Sequence, residues 1–301
     1  MIRNPLPWPN GARCAVAVTF DMDADSLVHI HAKEKAPSRV STTSMLRYGP
    51  TVAVPRILET YRKLGIQQTF FVPAWCAGQY PEAVEAMIAD GHEVGLHSYI
   101  HENSYDLSRD EEQDRLRRSM EILERVSGRR PVGWRAPMYS FSQYSGELLA
   151  EEGFLYDASL MGDDVPYLIS TPKGRLVELP AHWGMDDYPQ YAHTPDLDYM
   201  MPVRSPSEAI RNYMDEFEAH HAHGGLWIAV WHPFLTGRLS RWHHLEKMLF
   251  DIQARGDVWF ATLEQIAEHL LSAERAGTYV PRVDKVPFYH QPVDLEPAKT
   301  A

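Results

Sequence analysis

The sequence predicts an α/β fold in which about seven strand–helix units curl into a distorted (β/α) barrel. Three observations predict it. Apolar runs rich in β-branched residues recur along the chain, too uniformly apolar for strands with one solvated face and as expected of parallel strands covered on both. Amphipathic segments with helical spacing stand between them. No composition break separates the units, so a single domain over residues 1–301 is expected, with its core at about 12–270.

In chain order, ARCAVAVTF (12 to 20) reads as a buried strand ending in the acidic cluster DMDAD, and residues 24 to 50 read as polar and irregular. PTVAVPRILETYRKLG is a helix closed by Gly65, and QQTFFVPA a second buried strand. PEAVEAMIADG starts with a proline suited to a first helical turn and leads into the strand HEVGL. RDEEQDRLRRSMEILERVSG is a long helix with Leu116, Met120, Leu123 and Val126 on one face; PVGWRAP is a strand and its exit; SGELLAEEG is another helix. LYDASL opens a Pro- and Asp-rich stretch reaching about residue 205, followed by the helix SPSEAIRNYMDEFEAHHAHG and the strand LWIAVWHP. LSRWHHLEKMLFDIQARG and VWFATLEQIAEHLL complete the regular part, and residues 274–301 read as a tail over the body. The count of units lies near the eight of a closed TIM-like barrel, and no GxGxxG follows the first strand as a dinucleotide fold requires.

Bulk properties exclude several functions. With 44% apolar residues in 301, the chain can bury a large core. The 29 basic and 41 acidic side chains leave a net charge of −12, whose field opposes nucleic acid and anionic membranes. No apolar run nears the ~18 residues of a membrane span, and MIRNPLPWPNGARC does not read as a secretory signal, so the cytoplasm is the expected location. Two cysteines, Cys14 and Cys76, without CxxC spacing argue against a disulfide framework or a cysteine-based zinc site.

The chemistry gathers immediately after the strands: Asp21 and Asp23 after the first, His97 and His101 after HEVGL, Arg135 after PVGW, and His232 after LWIAVW. In a parallel barrel these carboxyl ends share one face, so the groups converge. Two imidazoles at i, i+4 lie on one side of a helical turn, and a carboxylate from another strand supplies a third ligand, leaving open positions on a divalent ion. HxxxH alone reads more readily as a surface pair; its company with DMD and WHP reverses that reading in favour of a metal. Asp21 and Asp23 share a face of an extended strand end and need cationic compensation if buried, which a dication and Arg135 would give; a solvated turn is their bland alternative. For His232 the bland alternative is a satisfied rim histidine. His220, His221 and His223 lie at a helix C-terminus, where solvent and the helix dipole explain them, and His92 reads as a structural hydrogen-bonding group. Trp75, Tyr139, Phe141, Trp183 and Tyr188 are candidates for an aromatic pocket, although core packing explains aromatics as well. Asp187, next to Asp186, is a candidate for orienting substrate.

At these residues the chain resembles the NodB-homology polysaccharide deacetylases, the fourth carbohydrate esterase family. The TFDDG motif appears as Thr19-Phe20-Asp21-Met22-Asp23. The [ND]GHEIGxH[ST]xxH motif appears from Asp90 through His101, the Arg-x-Pro motif as Arg135-Ala136-Pro137, and the Leu-x-His strand end as Val230-Trp231-His232. The resemblance implies a distorted barrel carrying a divalent metal, usually zinc, on Asp23, His97 and His101. It further implies Asp21 as general base, Arg135 holding that base, and His232 protonating the leaving amine. Met22 separates aspartates that are adjacent in secreted members, and no clean fourth motif, an Asp tuning the catalytic His, is seen; ELPAHWGMDDYP (178 to 189) occupies its region. WHPFLTGRLSR is similar instead to the branch holding intracellular deacetylase-like proteins, allantoinases and cyclic-imide hydrolases, whose members tend to be homo-oligomers and in some cases do without metal.

The expectation is a metal-dependent hydrolase of non-peptide carbon–nitrogen bonds acting on an N-acylated sugar or another small molecule. Cyclic imide or ureide hydrolysis is the first alternative and a non-catalytic metal-binding barrel the second.

Overall fold

The first apolar run folds as β1 (Cys14–Asp21), buried at every position, so both faces of the strand are covered as its composition demands. The computed structural model describes residues 1–292. Among the described residues eleven more strands follow: β2 (Thr69–Val72), β3 (Glu93–Leu96), β4 (Gly133–Trp134), β5 (Tyr156–Asp157), β6 (Tyr167–Thr171), β7 (Gly174–Glu178), β8 (His193–Thr194), β9 (Tyr199–Met200), β10 (Leu226–Trp231), β11 (Val258–Phe260) and β12 (Val283–Lys285).

The main sheet runs β10-β1-β2-β3-β4-β5-β7-β6-β12, with β11 beside β1. From β10 to β7 all seven strands are parallel. This is the expected barrel wall, with every strand's carboxyl end on one rim. No continuous ladder joins β7 to β10. The gap is crossed by a single bridge, where the Asp187 N–H donates to Val230 O at 3.1 Å and the Val230 N–H to Met185 O at 3.1 Å. That bridge presses residues 185–187 against the end of β10, and the site uses this placement.

The helices follow the predicted pattern where apolar spacing is clear. Arg109–Ser127 starts on a Ser108/Glu111 capping box, ends at left-handed Gly128, and buries Leu116, Met120 and Leu123. Val54–Leu64 ends at Gly65, whose φ of 65° lets the backbone leave the helix without strain.

Three segments differ from the expectation. Residues 24–50 hold two α-helices, Ser26–Ala32 and Val40–Tyr48, that bury only Ser26, Leu27 and Val28 in the first and Thr42 and Leu46 in the second, a stripe too thin to register as periodicity. The stretch after LYDASL contains an antiparallel hairpin, β6 and β7, turning at TPKG. The tail contributes β12, parallel to β6, while its last residues, 293–301, lie outside the described residues. Among the described residues no helix is long and apolar enough to cross a membrane.

Candidate active site

β1 delivers Asp21 at its last position, and Asp23 follows two residues on, just before Ala24 bends the chain at φ 47°. From β3 comes the loop holding His97 and His101. It is not the helical turn expected from the i, i+4 spacing: Ser98 and His101 both have left-handed backbones, φ 61° and 67°. The Glu102 carboxylate explains the departure. It accepts the Tyr99 and Ile100 N–H groups at 3.2 and 2.7 Å and the Ser98 hydroxyl at 3.1 Å, replacing helical hydrogen bonds with a side-chain cage. Left-handed non-glycine residues cost energy, and their presence at a ligand-type histidine marks a constrained site.

The convergence forecast from the strand ends is present. His97 Nε2 lies 3.4 Å from Asp23 Oδ1, His101 Nε2 3.4 Å and His232 Nε2 3.5 Å from Asp23 Oδ2, and Asp21 Oδ2 is 3.8 Å from His97 Nε2. Asp23 has no solvent exposure and neither carboxylate oxygen has a hydrogen-bond partner. A buried carboxylate in that condition demands positive charge. Burial works to raise its pKa, but His101, His232 and His97 outweigh it and hold the group well below the usual carboxylate range. His101 is also pushed down, to about 4, chiefly by its burial. His97 Nδ1 lies 2.7 Å from the Arg135 carbonyl, to which only a protonated nitrogen can donate, so the Nε2 lone pair of the neutral ring faces Asp23. Asp23, His97 and His101 offer ligand atoms within 4.8 Å of one another, and the orphaned carboxylate with a fixed tautomer fits a divalent cation.

A second group, His182, Glu216 and His220, also brings its possible ligand atoms within 4.8 Å of one another and differs chemically. His182 Nδ1 accepts the Gly184 N–H at 3.0 Å, so the neutral ring carries its proton on Nε2, facing Glu216 Oε2 at 3.4 Å. That imidazole turns its N–H toward a carboxylate and has no lone pair to offer there.

Arg135 is fully buried. Its Nη1 donates to Asp21 Oδ1 at 2.7 Å and to Thr19 Oγ1 at 2.8 Å, and its Nε to Ala158 O at 3.1 Å, with the guanidinium 4.3 Å from the Phe71 ring centroid. His232 is held by Asp187. Its Nδ1 is 2.6 Å from Asp187 Oδ1, its own N–H donates to Oδ2 at 2.9 Å, and the Thr236 hydroxyl also donates to Oδ2. Burial opposes protonation of His232, but Asp187 and Asp23 push its pKa up to about 10. Asp187 therefore grips the histidine and does not line the cavity as a substrate contact. The sequence conceals this because the partner lies 45 residues away and is brought to β10 by one bridge.

A cavity of about 420 Å³ opens over these groups, lined on its polar side by Asp21, His97, His101, Arg135, Asp186 and His232. Tyr139, Trp183 and Tyr188 line it as expected, joined by Met138, Tyr199 and Met201, which no local signal marked. Asp186, 2% exposed, accepts the Tyr139 hydroxyl and the Tyr188 N–H, both at 2.7 Å; burial and its acidic neighbour, opposed by His232, push it up to about 7. Trp75 and Phe141 do not belong to this cavity. Trp75 enters the helix Ala74–Gln79, which turns it toward His29, 4.9 Å between ring centroids, in a separate depression. Phe141 packs beside Gly146. His92 is structural, its Nδ1 accepting the Gln68 N–H at 3.0 Å.

Known proteins place this arrangement. The family model described as polysaccharide deacetylase matches residues 37–156. A solved structure from Mycobacterium smegmatis, assigned to the polysaccharide deacetylases, is 39% identical and superposes with a TM-score of 0.89 over 96% of this chain and 99% of that one. The peptidoglycan deacetylase of Helicobacter pylori is 27% identical over 285 residues, 85% of this chain and 96% of the relative. The allantoinase Puue shares the fold at 22% identity, TM-score 0.75, over 93% of this chain and 96% of its own. The chain belongs to the polysaccharide deacetylase family, hydrolases that cleave amide carbon–nitrogen bonds.

Proposed function

We propose that this chain is a metal-dependent hydrolase of a non-peptide amide bond, carried by one domain and working in the cytoplasm as a homo-oligomer. One observation carries the metal: the buried Asp23 carboxylate has no hydrogen-bond partner and faces three imidazole nitrogens. Asp23, His97 and His101 would hold the ion, with zinc the expected identity. A divalent cation held there would supply a lowered pKa for a nearby water and polarisation of the scissile carbonyl.

The protein's own groups supply the proton transfers. Asp21, anchored by Arg135 at 2.7 Å, takes a proton from the attacking water as it adds to the carbonyl carbon. His232 gives a proton to the leaving nitrogen as the carbon–nitrogen bond breaks, since an amine leaves poorly as an anion. Asp187 holds that ring in place and keeps it protonated. Tyr139, Trp183 and Tyr188 enclose the substrate.

An N-acylated sugar is the substrate class indicated by the relatives. The cavity favours a second reading, a small cyclic imide or ureide, because about 420 Å³ walled by Met138, Tyr139, Trp183, Tyr188, Tyr199 and Met201 suits a compact molecule better than a polymer strand. Assaying the zinc-loaded protein on N-acetylated amino-sugar oligomers and on small cyclic imides and ureides decides between them. Turnover of neither panel by the metal-loaded protein contradicts the enzymatic reading and leaves a metal-binding barrel without catalysis.

A further inference from the structure

Asp157 ends β5 and Glu178 ends β7, and the two are register partners on adjacent parallel strands, both with no solvent exposure. Register partners project from the same face of the sheet, so the two carboxyl groups lie side by side in the interior, where the charge of Asp157 adds to burial in raising Glu178 and two adjacent carboxylates need a proton between them. The remaining donors are accounted for. The Ser159 hydroxyl donates to Asp157 Oδ1 at 2.7 Å, the Ser159 N–H to Oδ2 at 3.1 Å, and the Leu160 N–H to Glu178 Oε1 at 2.9 Å. Glu178 Oε2 is buried and has no hydrogen-bond partner among the described residues, which leaves it as the atom to carry the proton.

Among the described residues no cation is spare to neutralise the pair. Tyr167 of β6 stands opposite Glu178, and Arg282, whose guanidinium lies 4.2 Å from the Tyr167 ring, pairs with Asp163 at 2.8 Å and Asp284 at 3.1 Å. Burial, the largest influence on each carboxyl, raises both pKa values, Glu178 well above the ordinary range.

The pair reaches the catalytic rim through the residues that follow Asp157. While donating to Asp157, the Ser159 hydroxyl accepts the Ala136 N–H at 2.8 Å, and Ala158 O accepts Arg135 Nε at 3.1 Å. Arg135 holds Asp21, and its carbonyl orients His97. We propose that Asp157 and Glu178 are positioning residues that share one proton and so hold the 158–160 backbone on which Arg135, and through it Asp21 and His97, are aligned. The consequence for the reaction rests on the function proposed above, whereas the shared proton does not.

The test compares the parent with Glu178→Gln, Glu178→Ala and Thr262→Ala. Thr262 caps the helix Leu263–Arg275, whose first N–H bonds Thr69 where β2 begins, away from the rim. Melting temperature is followed from pH 5 to 9. The native pair holds a proton that the unfolded chain releases at lower pH, so the parent loses stability as pH rises, while Glu178→Gln brings its own N–H and does not. The gap between Glu178→Gln and the parent should widen by about 2 °C per pH unit. Equal slopes in the two proteins overturn the shared proton.

Zinc affinity, read with a competing chelator, tests the positioning. Glu178→Ala should weaken zinc by about tenfold and Glu178→Gln should restore it, as expected when a support of a metal ligand is lost. Thr262→Ala should lower the melting temperature and leave affinity unchanged. Equal effects of Thr262→Ala and Glu178→Ala, or no effect of the latter, overturn the positioning role. Absence of zinc binding in every variant contradicts the functional reading and the positioning role with it, while the pH slopes still decide the shared proton.

Discussion

Asp187 holds His232 by two bonds at once, Oδ1 to the ring Nδ1 at 2.6 Å and Oδ2 to the backbone N–H at 2.9 Å. One carboxylate thus fixes the position of the ring, its tautomer and its charge. Asp187→Asn keeps the shape and loses the charge, so kcat should fall by roughly 10²–10⁴ with little change in KM. Because Asp187 raises the His232 pKa, the alkaline limb of the rate profile should move to lower pH. An unchanged pH profile would show that His232 does not act as the acid.

Arg135→Met should cost stability as well as rate. It leaves Asp21, 3% exposed, without its 2.7 Å partner, and breaking a buried pair in this way costs about 3–5 kcal/mol. Denaturant unfolding measures the loss, and a change below 1 kcal/mol would mean that Asp21 finds compensation elsewhere.

Two tryptophans separate the cavity from the neighbouring depression. Trp183 lines the cavity and remains 49% exposed at its mouth, so Trp183→Ala should raise KM about tenfold or more and change kcat less. Trp75→Ala should leave KM for the same substrate unchanged, since Trp75 faces His29. A reversed pattern of steady-state constants would assign substrate to the wrong depression.

The pH dependence of folding has a defined sign at two histidines outside the site. His92 and His220 are pushed down to about 4 by burial, while in the unfolded chain they titrate near the ordinary histidine value of about 6.5. The unfolded chain therefore binds protons first. The stability these rings contribute is fully present above pH 6.5 and is lost as pH falls toward 4. His220→Gln should flatten this part of the melting-temperature curve, and an unaltered slope would place the acid sensitivity elsewhere.

Much of the site was legible because its residues follow strands whose apolar composition is unmistakable. Asp21, Asp23, His97, His101, Arg135 and His232 each lie at or just beyond a strand end, and the parallel topology does the rest. What was not legible depends on contacts with no periodicity. The left-handed turn at Ser98 and His101 is set by Glu102 and looks in the sequence like any i, i+4 pair. Asp187 meets His232 only because residues 185–187 span the gap in the barrel wall. Tyr199 and Met201 reach the cavity from the region of β8 and β9, whose two-residue strands are too short to leave a pattern. Trp75 and Phe141 show the converse: an aromatic residue near a strand end is as readily turned into packing, and only the local backbone decides.

The central claim is that Asp23, His97 and His101 form the metal site, and elemental analysis of the purified chain beside Asp23→Ala and His97→Ala tests it most directly. The account predicts about one tightly held divalent ion per parent chain and loss of that ion in both variants, each still folded by circular dichroism. A folded parent that takes up no divalent ion, or variants that retain it at the parent's level, would contradict it.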